Sequence, residues 1–271
     1  MTDQIVFIGG GNMASALISG LLKRGVSTAS IVVIEPFEPA RERLQHSYGI
    51  QALACADASM ADASLVVWAV KPQVFKEAAL GLASLTAKAL HLSVAAGIRS
   101  DSIAAWLGTE RVIRAMPNTP ALIGKGMCGL FARSGASTAD QARVAELMQT
   151  TGQFIWLDTE DKLDAVTALS GSGPAYVFYM MEAMVAAGVQ MKLTPAQATD
   201  LVLGTFIGAS ELAQKSAESP QTLRHQVTSK GGTTHAAITA LENAGFAEIV
   251  SQAVYAAQKR ARELGDQFGA P

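Results

Sequence analysis

Residues 5–14 read Ile5-Val6-Phe7-Ile8-Gly9-Gly10-Gly11-Asn12-Met13-Ala14. Four apolar residues in a row, three of them β-branched, make a short buried strand. The glycines end it. Ala16, Leu17, Leu21 and Leu22 then follow at helical spacing, and Gly25 closes the segment. The spacing Gly9-x-Gly11-x-x-Ala14 is weak evidence alone, because glycines match it by chance. Between a strand and a helix it is the dinucleotide-binding fingerprint. Gly9 permits the tight turn, Gly11 lets a pyrophosphate approach the backbone, and Ala14 keeps helix and strand close. Asn12 and Met13, at the helix start, join the candidate cofactor contacts.

Working outward, apolar runs recur at residues 31–34, 65–70, 89–94 and 112–115, with helical patterns between them. Strands buried on both faces read as such runs. Alternating strand and helix predicts a doubly wound α/β domain with a parallel sheet. Ligands of such sheets bind beyond the strand carboxyl ends. Glu35, after the second strand, is placed to bond a ribose 2′-hydroxyl, which favours NAD; Arg41 and Arg43 nearby leave NADP open. Ala69, Val70, Lys71 and Pro72 end the third strand, and Ala95, Ala96 and Gly97 end the fourth, so both tips are candidate nicotinamide neighbours. An ordinary surface lysine is the competing reading of Lys71. Asn118, between Pro117 and Pro120, is placed either to bond substrate or to stitch its loop.

Two further strands, residues 126–131 and 154–157, flank a helix at 139–150. From about Thr159 the pattern is helical only, which divides the chain into residues 1–158 and 159–271. Ser170-Gly171-Ser172-Gly173-Pro174 breaks and restarts a helix, with Pro174 suited to a first helical position. The helix over 174–188 is apolar nearly all round, so it should be buried, and a clamp between two subunits fits better than a small domain's core. Val227-Thr228-Ser229-Lys230-Gly231-Gly232-Thr233-Thr234-His235 sets hydroxyls and glycines in a turn just before an amphipathic helix. Free N–H groups at such a helix start suit a small carboxylate.

The chain has 271 residues, a formal net charge of −2 and 49% apolar residues, which allows a sizeable core and implies no polyanion partner. Two cysteines, Cys55 and Cys128, make no disulfide framework, and the four histidines show no ligand spacing, so no metal is expected. No basic leader precedes the first strand and no apolar run reaches membrane length, which predicts a soluble, cytoplasmic protein.

These motifs, in this order, resemble the pyrroline-5-carboxylate reductases. The matching segments begin at Gly9, Ala69, Ala95, Met116, Ser170 and Val227 and cover nearly the whole chain. Lys230 departs from the usual Ser-Pro-Gly-Gly loop, and Ala56 stands where many members carry asparagine. The resemblance implies a Rossmann-like domain followed by an all-α dimerisation domain. It implies hydride transfer from NADPH or NADH to L-1-pyrroline-5-carboxylate, giving L-proline. It also implies an intertwined homodimer, which some members assemble into decamers. Val227, Ser229, Gly231, Gly232, Thr233 and Thr234 become the substrate-binding candidates. Thr234 is the catalytic candidate, ahead of His235, for orienting or relaying the proton to the ring nitrogen. Rivals are a 3-hydroxy acid dehydrogenase, another imine reductase, and a nucleotide-sensing protein without turnover. Residues 170–184 contain no lysine to serve as the general acid/base of a hydroxy acid enzyme.

Overall fold

The computed structural model describes residues 4–269. Seven strands form one sheet: β1 (Gln4–Ile8), β2 (Ile31–Ile34), β3 (Ala63–Trp68), β4 (Leu90–Ser93), β5 (Val112–Met116), β6 (Gly126–Ala132) and β7 (Gly152–Trp156). Their order is β2-β1-β3-β4-β5-β6-β7. The chain leaves β1 for β2 on one side, then returns to place β3 on the other. The strand order therefore reverses between β1 and β3, which opens a crevice at their carboxyl ends.

The sheet is parallel except at one pair. β1 to β5 are parallel, as the alternation implies, whereas β6 runs antiparallel to β5, with Met116 opposite Gly129. Only residues 117–125 join the two strands, and they hold a single 3-10 turn, Thr119–Ile123. A parallel crossover needs a dozen or more residues. β7 follows α5 (Thr138–Met148) and is parallel to β6 again.

Both faces are covered, which explains the unbroken apolar runs. Ile5, Phe7 and Val67 pack with Leu17, Leu44 and Val144, from α1 (Asn12–Lys23), α2 (Glu38–Tyr48) and α5. Val6, Ile8 and Trp68 pack on the other face with Phe75 and Ile103, from α3 (Pro72–Thr86) and α4 (Ser100–Leu107).

The chain packs as two compact units, with boundaries after Ser172 and after Tyr255. The division at 158/159 read from the sequence follows the change of secondary structure, whereas packing divides the chain later and twice. The first unit keeps α6 (Lys162–Val166) and takes back the end of α11 (Phe246–Phe268). There Arg99 pairs with Asp266 at 3.2 Å, and Arg262 with Asp164 at 3.7 Å. The Ser102 hydroxyl donates to the Gly269 carbonyl at 2.6 Å.

The expected break at Ser170–Gly173 is instead a π-helical turn, Thr167–Gly171, that carries α6 into α7 (Gly173–Gln190). A side chain at Gly171 would place its Cβ 2.5 Å from the Met116 Cε, so the turn lies against the end of β5.

In the second unit, α7 packs on α8 (Pro195–Lys215). A capping box starts α8: the Thr194 hydroxyl accepts from the Gln197 N–H, and the Gln197 side chain accepts from the Thr194 N–H. α9 (Pro220–Gln226), which periodicity did not reveal, begins at a Ser219 cap, and α10 (Thr233–Asn243) follows. The expected burial of α7 does not occur within one chain: only Gly188 is buried, while Phe178 and Tyr179 are 61% and 74% exposed. Among the described residues, no helix is long and apolar enough to cross a membrane.

Candidate functional site

In the first unit, the glycine turn sits at the strand-order reversal. Gly9 has φ +96°, and a Cβ there would lie 2.6 Å from the Ala69 carbonyl oxygen. Its N–H donates to Ile34 O at 2.8 Å, while the Ala69 N–H donates to Ile8 O at 2.8 Å. The tips of β1, β2 and β3 are thereby laced together. Gly11 is the N-cap of α1, with no side-chain cap and no atom within 4 Å of its would-be Cβ. Open space faces a helix start whose N–H groups lack intrahelical partners, and no acidic residue occupies its first turn. Asn12 is exposed, Met13 half-buried, and Ala14 fully buried in the core. These features suit an anionic pyrophosphate.

Glu35 follows β2, as expected, but its carboxylate is already engaged. One oxygen accepts the Gly10 N–H at 2.7 Å, and the other accepts the Phe37 N–H at 2.9 Å. Arg41 donates to the carbonyls of Glu35 and Pro36 at 2.9 and 2.6 Å. Ala69 and Val70 are half-buried at the end of β3; Lys71 is exposed at the N-cap of α3, and Pro72 is that helix's first residue. The tip beyond β4 has Ala95 buried, Ala96 half-buried and Gly97 at φ +71°. A Cβ at Gly97 would lie 3.0 Å from that of Leu264 on α11.

Beneath these tips lies a polar network that sequence reading missed. Glu160 accepts from Arg114 at 2.6 Å and from the Ser100 N–H at 2.6 Å, and its other oxygen pairs with the Ser100 hydroxyl. An arginine inside the apolar run Val112-Ile113-Arg114-Ala115 is the signal that reveals it, because a buried charge needs a partner. Burial raises the nearby Asp164 carboxyl above its ordinary value, against the pull of Arg99, Arg114 and Arg262. Asn118 proves to be a stitch. Its oxygen accepts the Met127 N–H at 2.9 Å, and its amide donates to the carbonyl and hydroxyl of Ser170 at 3.1 and 3.2 Å.

In the second unit, α9 and α10 flank the loop of residues 227–232. Arg224 pairs with Glu242 at 2.9 Å, and the Thr228 hydroxyl donates to Arg224 O at 2.6 Å. Gly231 takes φ +76°, and the Gly232 N–H donates to Ser229 O at 3.0 Å. A Cβ at Gly232 would lie 2.9 Å from the Ser229 hydroxyl, so that hydroxyl hangs over the turn. Gly232 is the N-cap of α10, and no side chain caps it. The first-turn N–H groups, from Thr233 on, thus lack intrahelical partners. The hydroxyls of Ser229, Thr233 and Thr234 form no hydrogen bond among the described residues, unlike Thr199 and Thr205, which bond back into α8. Thr234 is half-buried, whereas Val227, Lys230 and His235 are exposed. The structure thus brings Ser229, Gly231, Gly232, Thr233 and Thr234 into one turn and leaves Val227 at its rim.

A glycine turn at the switch point of a doubly wound sheet, carried on a chain with a separate helical unit, defines an NAD(P)-dependent oxidoreductase. Residues 4–97 match the family model described as NADP oxidoreductase coenzyme F420-dependent, and residues 160–264 match the one described as pyrroline-5-carboxylate reductase dimerisation. The chain belongs to the pyrroline-5-carboxylate reductase family, whose members act on a CH–NH group. It is 43% identical to the Pseudomonas aeruginosa pyrroline-5-carboxylate reductase over 270 residues, 99% of each chain. Its fold matches the Coxiella burnetii pyrroline-5-carboxylate reductase with TM-score 0.88 and 36% identity, covering 97% of this chain and 99% of that one. A Plasmodium falciparum pyrroline carboxylate reductase solved with NADP bound matches with TM-score 0.86 and 26% identity, covering 97% and 98%.

Proposed function

We propose that this enzyme reduces L-1-pyrroline-5-carboxylate to L-proline and holds the substrate carboxylate at the N-terminus of α10. The uncapped turn at Gly232, ringed by the unpaired hydroxyls of Ser229, Thr233 and Thr234, carries the reading. A carboxylate there accepts backbone N–H groups near Gly231, Gly232 and Thr233, together with the Ser229 hydroxyl, at the positive end of the helix. Val227 lends apolar surface at the rim.

Reduction of C=N needs a hydride at carbon and a proton at nitrogen, and a reduced nicotinamide supplies the hydride. The first unit fits that cofactor. Gly9, Gly11, Asn12 and Met13 would hold the pyrophosphate, Glu35 the ribose, and residues 69–72 and 95–97 the nicotinamide end. A protonated iminium is already electrophilic, so positioning and fixed dipoles provide most of the rate. Thr234 turns its hydroxyl to the ring nitrogen and orients or relays the proton. The lysine-free segment 170–184 argues against hydroxy acid chemistry.

The exposed apolar side chains of α7, with Leu201 and Ile207 of α8 and Ile249 of α11, support a homodimer that interlocks through these helices. Dimers that stack into a decamer, in the cytoplasm, complete the proposal.

Thr234→Ala tests the assignment. Turnover of the cyclic imine should fall by roughly 10²-fold, as when one positioned donor is removed, with the melting temperature unchanged and activity recovered in Thr234→Ser. A Thr234→Ala enzyme with the wild-type kcat/KM would refute the role. Absence of imine turnover with either NADH or NADPH would refute the reaction.

A further inference from the structure

The reductase reading leaves the nicotinamide cofactor unspecified, and the following inference rests on that reading. We infer that Glu35 makes the enzyme NADH-selective, by fixing a negative charge where the 2′-phosphate of NADPH would have to sit.

The position is held through its backbone and its carboxylate. The Gly9 N–H bonds Ile34 O at 2.8 Å, and the Glu35 N–H bonds Leu53 O at 2.8 Å, so the backbone around Glu35 cannot drift. The side chain lies against the glycine turn: a Cβ at Gly10 would be 3.3 Å from both Cβ and Cγ of Glu35, and 2.7 Å from Leu44 Cδ1. Its two oxygens take the N–H groups of Gly10 and Phe37 at 2.7 and 2.9 Å. Gly10 is buried. Swinging the carboxylate aside would strip that buried N–H of its acceptor, a costly loss. The charge therefore stays when a cofactor arrives. Each carboxylate oxygen still has a free lone pair, which can accept a ribose hydroxyl and can only repel a phosphate.

Arg41, six residues on, is anchored to the backbone beside Glu35. It gives one nitrogen to the carbonyls of Glu35 and Pro36, which ties its guanidinium to the turn's backbone. Arg43 is exposed further along α2, and residues 35–40 add a second acid, Glu38, in the first turn of that helix. The turn after β2 thus presents two carboxylates and no lysine or arginine of its own.

The test is a binding titration of the purified enzyme, without imine, with NADH and NADPH read by nicotinamide fluorescence or calorimetry. Wild type should bind NADH at least about tenfold more tightly, the effect of roughly 1.4 kcal/mol of like-charge repulsion. Glu35→Gln, which keeps an acceptor for Gly10, should close most of that gap by tightening NADPH. Arg41→Met should leave the NADH preference standing. Wild-type enzyme that binds NADPH as tightly as NADH would overturn the inference, whatever the variants do. So would a Glu35→Gln enzyme with an unchanged ratio. Because the readout is binding, failure to turn over the imine would sink the reaction assignment without altering this ratio.

Discussion

Replacing His91 with leucine should make the fold less sensitive to acid. His91 lies on β4, whose end leads into the Ala95–Gly97 tip, and it is fully buried. Its Nδ1 accepts the Trp68 indole N–H at 3.1 Å, and its Nε2 has no hydrogen-bond partner. Burial pushes the imidazole from 6.5 down to about 4, against a weaker upward pull from the Thr86 backbone. An unfolded chain takes up a proton near 6.5, whereas the folded one resists until about 4. Between those values the unfolded state binds more protons, so stability falls as pH drops. The full distance from 6.5 to about 4 corresponds to about 3 kcal/mol at ~1.4 kcal/mol per pH unit. By pH 5, about 2 kcal/mol of this is gone. Urea unfolding followed by tryptophan fluorescence at pH 7.5 and pH 5 reads the effect. The leucine variant loses an acceptor for Trp68, which costs roughly 1–3 kcal/mol at both pH values. Its loss between the two pH values should be smaller than that of wild type by about 2 kcal/mol. Asp164, whose raised value stabilises the fold as pH falls, is common to both proteins and cancels in the difference. Equal losses in wild type and variant would refute the account of His91.

Gly9→Ala should cost about 1–3 kcal/mol, because a side chain is forced into a positive-φ position against the Ala69 carbonyl. Cofactor binding should weaken with it; thermal unfolding and an NADH titration check both, and an unchanged variant would contradict the turn geometry. Glu160→Ala leaves Arg114 buried without its carboxylate and the Ser100 N–H without an acceptor, a loss of roughly 3–5 kcal/mol in denaturation experiments. Glu160→Leu combined with Arg114→Met should recover part of it, since both charges of the pair are then gone while the Ser100 N–H still lacks its acceptor.

The glycine turn after β1 was legible because its physics is local. A strand, three glycines and a helix lie within twenty residues, and only a glycine tolerates the φ of Gly9. The loop before α10 was legible for the same reason. What escaped depends on distant partners. Nothing near Glu35 in sequence announces that it will bond Gly10, 25 residues earlier, and nothing near Arg114 names Glu160. The reversal of β6 followed from the length of the connection after Met116, a signal present in the sequence but masked by the regular alternation before it. The π turn at Thr167–Gly171 reads as a glycine break until Met116 is seen beside Gly171. The apolar helix α7 was legible as a helix needing cover beyond a small domain's core, and its side chains are indeed exposed in the single chain; periodicity reports that a face wants cover without naming the residues that provide it.

The return of α11 to the first unit bears on how the protein is made. Residues 173–255 must leave the ribosome before the segment beyond Tyr255 can dock. Until then Gly97 lacks Leu264, and Arg99 lacks Asp266. The half synthesised first is thus among the last to be finished. Chains of this plan therefore pass through a stage with the β4 tip uncovered, a natural point for chaperone capture or proteolysis.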